Sequence, residues 1–258
     1  MTRLKKLFDA KSSKVLNVYC TAGYPTLGST LPIIAALENN GADLVEIGMP
    51  YSDPLADGPV IQESGAKAIE NGMSIEVLFD QLKSLRTTSN IPVVLMGYMN
   101  PVLQYGFEKF CAAAAAVGVD GLILPDMPAY EFESTYGAIV KKHGLDFIFL
   151  VTPETPTERI VYLDSLSSGF LYAVSASATT GSALNFDAVD AYLQKLKQMQ
   201  LINPILVGFG VKDAASFELA SRHTAGAIIG SAYIKALENS VDVTSTTAQF
   251  LSSIIGQK

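Results

Sequence analysis

The chain has 258 residues, a formal net charge of −7, and 49% hydrophobic against 17% charged residues. An acidic balance without a local cationic cluster excludes the basic footprint that nucleic acid or an anionic membrane surface requires. No apolar run approaches the roughly eighteen residues of a membrane-spanning helix. Cys20 and Cys111 lack metal-ligand spacing and need no disulfide scaffold, so a reducing cytoplasm is expected.

In chain order, Leu4, Leu7 and Phe8 stand at helical spacing without a long apolar segment. This predicts a short amphipathic helix covering one end of the fold rather than a secretory signal. Short apolar runs rich in β-branched and aromatic residues then predict strands over 16–20, 43–47, 93–96, 121–124, 147–151, 170–174, 205–207 and 227–229. Helical patterns lie near 29–40, 61–86, 107–117, 131–142, 157–166, 187–199, 213–222, 232–238 and 244–255. The strands are continuously apolar, as parallel strands buried on both faces are. The expected architecture is a single-domain α/β fold, a (β/α)8 TIM barrel with an extra N-terminal helix, over residues 1–258. An open doubly wound sheet is the alternative, disfavoured because no Gly-rich dinucleotide turn follows the first strand. His143 and the pair Arg222-His223 close helical patterns, where the helix dipole favours cationic groups. A histidine metal site or a histidine base is therefore not expected.

In such a barrel the chemistry sits at the C-terminal strand ends and the loops that follow them. Glu46 ends the second strand and Asp57 lies eleven positions on, in a loop stiffened by Pro50, Pro54 and Pro59. A buried acid facing a loop-borne acid suits general acid/base work, because the two environments separate the pKa values. Alone, the pair reads equally well as a structural Glu46 bonded to an internal hydroxyl beside a solvated loop.

The remaining loops favour the catalytic reading. Gly208-Phe209-Gly210 follows the seventh strand, and Gly230-Ser231-Ala232 follows the eighth and opens a helix. Together these form a phosphate cradle of backbone N–H groups, which Gly181 can join, although each glycine singly is a common turn residue. No lysine stands at a strand end for a Schiff base, and no His, Asp and Glu cluster supplies a metal site. What remains is metal-free acid/base chemistry on a phosphorylated substrate. Residues 175–185, small, polar and uncharged, read as a lid over the mouth, or as a plain surface loop.

The run Pro50-Tyr51-Ser52-Asp53-Pro54-Leu55-Ala56-Asp57-Gly58-Pro59-Val60-Ile61-Gln62 resembles the loop-2 signature of tryptophan synthase α chains. The likeness extends to Tyr24-Pro25, Gly208-Phe209-Gly210 and Gly230-Ser231-Ala232, and so over nearly the whole chain. The resemblance implies retro-aldol cleavage of indole-3-glycerol phosphate to indole and glyceraldehyde 3-phosphate. It also implies an α2β2 complex in which indole passes to a β chain that holds pyridoxal phosphate, with no cofactor in this chain.

By the family's motif, Glu46 protonates indole C3 and takes the proton of the C3′ hydroxyl, while Asp57 holds the indole N–H. Tyr19 would line the indole pocket. Tyr172 and Thr180 would contact substrate, with Thr180 coupling the lid to Asp57. Gly181, Gly210, Gly230 and Ser231 would hold phosphate, and Asp53, Pro54 and Asn100 would face the β chain. Ala176, Ala178 and Thr179 depart from the family's usual lid pattern. A non-catalytic or weakly catalytic partner that activates the β chain, or another phosphate-binding barrel enzyme, is the alternative reading.

Overall fold

The computed structural model describes residues 2–174, 186–208 and 210–256. Nine parallel strands form one sheet: β1 (Val15–Thr21), β2 (Leu44–Gly48), β3 (Val93–Met96), β4 (Gly121–Ile123), β5 (Asp146–Phe147), β6 (Leu150–Val151), β7 (Leu171–Val174), β8 (Ile205–Gly208) and β9 (Gly226–Ile229). Their order is β5-β4-β3-β2-β1-β9-β8-β7-β6, so the two ends of the sheet are neighbours in sequence. Between them, the Ile148 N–H donates to Leu122 O and the Tyr172 N–H donates to Phe149 O, each at 3.0 Å. One segment thus bonds β4 on one side and β7 on the other, closing a (β/α)8 barrel. The strand expected over 147–151 is divided because its bonding partner changes at that point.

Alternation along each strand sorts side chains between barrel and helices. Val15, Leu44, Val94, Ile123, Ile148, Phe170, Leu206, Ala225 and Ile228 pack together as an apolar floor inside the barrel. Leu4, from the N-terminal helix Arg3–Ala10, is fully buried in that floor, with Leu7 and Phe8 packed against it. Thr2 caps this helix by accepting the Lys5 N–H. Arg3 and Arg86 both bond the buried Asp120 carboxylate, at 3.0 and 2.8 Å, and Arg3 thereby ties the helix to the barrel base. The expected N-terminal helix is present and acts as the barrel's plug.

Two helical expectations are corrected. The pattern over 61–86 resolves into Pro59–Glu70, Ile75–Leu82 and Leu85–Thr88. Gly72 adopts a φ of 94°, which ends the first helix, and the Ser74 side chain caps the next by accepting the Val77 N–H. The helix Met99–Tyr105 was not expected from the sequence. Pro101 sits in its first turn, where a missing N–H costs nothing, and the Asp126 carboxylate accepts the Met99 N–H. Among the described residues, no helix is long and apolar enough to cross a membrane.

Candidate active site

Glu46 lies on β2 directly opposite Tyr19 of β1 and is 1% exposed. Its neighbours Val45 and Ile47 pack outward against the helix layer, which leaves Glu46 pointing into the barrel. Burial pushes its carboxyl from 4.5 up to about 8, opposed by a hydrogen bond from Asn17 and reinforced by the charge of Asp57. The Asn17 Nδ2 donates to Glu46 Oε2 at 3.0 Å. At neutral pH the group is mostly a neutral acid, able to donate a proton and, once ionised, to take one back.

Asp57 sits in the loop after β2. Burial raises its pKa, while the Tyr98 phenol opposes that rise by donating to Asp57 Oδ2 at 2.9 Å. The same phenol oxygen accepts the Ala56 N–H at 3.0 Å, and Gln62 Nε2 donates to the Asp57 carbonyl at 2.7 Å. The loop is therefore pinned on both sides of the carboxylate. Asp57 acts electrostatically on Glu46, Tyr19 and Tyr172, so these four groups share one site.

Two tyrosines frame that site through a repeated contact. A Cβ on Gly48 would fall 1.9 Å from the Tyr19 hydroxyl, and one on Gly208 would fall 2.8 Å from the Tyr172 hydroxyl. Each ring leans over a glycine at the end of the adjoining strand, a closeness only a residue without a side chain permits. Burial, followed by nearby carboxylate charge, raises the pKa of both phenols well above their usual value, so they remain neutral.

The phosphate candidates divide. Gly230 stands at the N-cap of the helix Ser231–Leu237, and its missing Cβ would lie 3.7 Å from the Tyr19 Cβ. Ser231 is exposed at the helix start, and Gly210 follows β8 with a φ of 67°. The first N–H groups of such a helix lack intrahelical acceptors and can face an anion. Gly181 and Thr180, the rest of the expected lid 175–185, and Phe209 lie outside the described residues.

On the outer side of the loop, Asp53 is exposed, Pro54 is half-buried and Leu55 is 83% exposed. Asn100 is exposed and donates to the Tyr51 hydroxyl at 2.9 Å, and the Tyr51 and Tyr98 rings lie 5.5 Å apart. Of the expected partner-facing residues, Asn100 is thus linked to Asp57 through the tilted pair Tyr51 and Tyr98. Asn17 and Tyr98, which hold the two carboxyls, were not singled out from the sequence. A lone asparagine within an apolar strand was the available signal for Asn17. For Tyr98 the signal was only its place after the third strand.

A buried carboxyl beside a half-buried one, at the C-terminal mouth of a (β/α)8 barrel, is the arrangement of an acid/base enzyme. The family model described as "Tryptophan synthase alpha chain" matches residues 6–256. A tryptophan synthase alpha chain from Parabacteroides distasonis is 46% identical over 255 residues, covering 98% of this chain and 99% of the relative. One from Flavobacterium psychrophilum is 48% identical over 246 residues, covering 95% and 96%. The tryptophan synthase subunit alpha of Legionella pneumophila superposes with a TM-score of 0.89 at 33% identity, covering 98% of this chain and 97% of that one. A chain of the Pyrococcus furiosus tryptophan synthase complex gives 0.86 at 33% identity, covering 96% and 100%. The chain belongs to the tryptophan synthase alpha chain family.

Proposed function

We propose that this chain is the lyase subunit that cleaves indole-3-glycerol phosphate to indole and glyceraldehyde 3-phosphate, supplying indole to a β chain for tryptophan synthesis. The observation that carries the reading is the pair formed by a buried Glu46, its carboxyl raised to about 8, and the loop-borne Asp57. Glu46 protonates indole C3, which converts the ring to an indolenine and creates the electron sink the substrate needs. The carboxylate then removes the C3′ hydroxyl proton. The C3–C3′ bond breaks, its electrons return to the ring, and an aldehyde leaves. Glu46 gives one proton to C3 and takes another from the C3′ hydroxyl, so it ends the cycle protonated and no redox partner enters the balance.

Asp57 accepts the indole N–H and stabilises the positive charge that develops there. Tyr19 and Tyr172 offer neutral aromatic walls for the ring, and Gly210, Gly230 and Ser231 offer backbone and hydroxyl donors to the phosphate. The exposed face at Asp53, Pro54, Leu55 and Asn100 suits docking of the β chain in an α2β2 assembly. That partner holds pyridoxal phosphate; this chain works in the cytoplasm without a cofactor of its own.

The test is indole release from indole-3-glycerol phosphate, with and without a β chain. Glu46→Gln and Asp57→Asn are each expected to lower the rate by a factor of about 100 or more. Parent-like turnover by either folded variant would remove that residue from its role.

A further inference from the structure

We propose that Asn17 is a positioning residue for Glu46: its side-chain amide holds one carboxyl oxygen and leaves the other free to exchange a proton with substrate. This inference deepens the reading of Glu46 as the proton-transferring acid and rests on it. On β1, Leu16, Val18 and Cys20 pack toward the helices, so Val15, Asn17 and Tyr19 face the barrel interior. Val15 belongs to the apolar floor and Tyr19 to the active site, which places Asn17 on the boundary between them.

An amide at that boundary is not required by packing. Asn17 is fully buried, and an aliphatic side chain there would avoid the cost of desolvating a polar group. Its Oδ1 has no hydrogen-bond partner among the described residues, so the amide completes no structural network. Its one side-chain bond is the 3.0 Å contact from Nδ2 to Glu46 Oε2. Among the described residues, no other donor bonds the Glu46 carboxyl.

The other titratable groups that interact electrostatically with Glu46 are Asp57 from the loop after β2, Tyr19 on β1, Tyr172 on β7 and, from the outward side of β1, Cys20. All are acids, and none offers a positive charge. The Asn17 N–H therefore supplies the stabilisation of the carboxylate that appears when Glu46 gives its proton to indole C3. A donor to the charged form makes Glu46 a stronger acid than burial alone would leave it. It also fixes Oε2, so that Oε1 is presented to the substrate carbon in one orientation.

Two variants and one measurement on the parent protein test this. Asn17→Leu keeps the volume and removes the donor; Asn17→Ser keeps a shorter donor. Because the cycle starts with protonated Glu46, kcat/KM falls as pH rises through its pKa. In Asn17→Leu this alkaline limb is expected to move up by about one pH unit. Its plateau kcat should fall by a factor of about five while KM is unchanged, with Asn17→Ser in between. A purely structural defect would scale the whole profile without moving the limb.

In the parent, the Asn17 side-chain amide resonances should shift as Glu46 titrates, a readout that needs no variant to fold. Flat amide resonances through that titration, or an unmoved limb in folded Asn17→Leu, would overturn the proposal. Parent-like activity in Glu46→Gln would instead remove the catalytic reading beneath it, because the amide titration reports the bond independently of turnover.

Discussion

The Tyr98 phenol bridges the Asp57 carboxylate, at 2.9 Å, and the Ala56 N–H, at 3.0 Å. One side chain from beyond β3 thereby holds both the charge and the backbone of the loop that follows β2. Tyr98→Phe keeps the ring against Tyr51 and removes only the hydroxyl. Without that donor the Asp57 pKa rises further above its ordinary value, so its ionised form requires higher pH. The acid limb of indole release should move to higher pH and the rate at pH 7 should fall by about tenfold or less. An acid limb that coincides with the parent's would exclude a role for the phenol.

Glu46 trades stability for chemistry. Its carboxyl titrates from an ordinary 4.5 to about 8 in the folded chain. Between those pH values the unfolded chain has released the proton and the folded chain has kept it, so stability declines as pH rises and levels off above about 8. Glu46→Gln removes this penalty while its amide oxygen can still accept from Asn17. The variant should melt higher than the parent, with a larger difference at pH 8 than at pH 5, although its indole release is expected to be about 100-fold slower or more. An equal difference at both pH values would contradict the buried acid.

Gly48 is constrained by Tyr19. A Cβ there would sit 1.9 Å from the phenol oxygen of the buried Tyr19 ring, so one of the two must shift. Gly48→Ala should therefore displace Tyr19, lower stability by about 1–3 kcal/mol and weaken substrate binding. Urea unfolding and the KM for substrate check this together. A fully active, fully stable variant would mean that the ring can relocate.

Gly230 offers the opposite case. A Cβ there meets Tyr19 at an ordinary 3.7 Å, and the residue's φ is −116°. Gly230→Ala should leave stability within about 0.5 kcal/mol of the parent. It should still raise KM for the phosphorylated substrate several-fold by crowding the helix start, without changing affinity for indole. Unchanged KM would move the phosphate elsewhere.

Much of this protein is set by patterns local to the chain. Continuous apolar runs such as Val93–Met96 suit a parallel sheet buried on both faces, and their regular recurrence implies the barrel before any contact is known. Glu46 and Asp57 were legible as candidates for a similar reason: a charge within an apolar run, which the structure places in mid-strand, and another among prolines that fix the backbone, are visible without neighbours. Where the sequence reading failed, the deciding contact was distant or conformational. Gly72 could have continued the pattern over 61–86 but adopts a positive φ, and the strand near 147–151 divides because closure changes its partner.

The site's supports were least visible. Asn17 meets Glu46 across 29 positions and Tyr98 meets Asp57 across 41, and the Tyr19–Gly48 and Tyr172–Gly208 contacts require a specific pair of strands side by side. The sequence by itself marked out the candidate carboxylates, because charge and backbone stiffness are properties of the residues. Only the tertiary structure decided in which direction their pKa values move, because burial and hydrogen-bond donors are properties of the neighbours that folding brings to them.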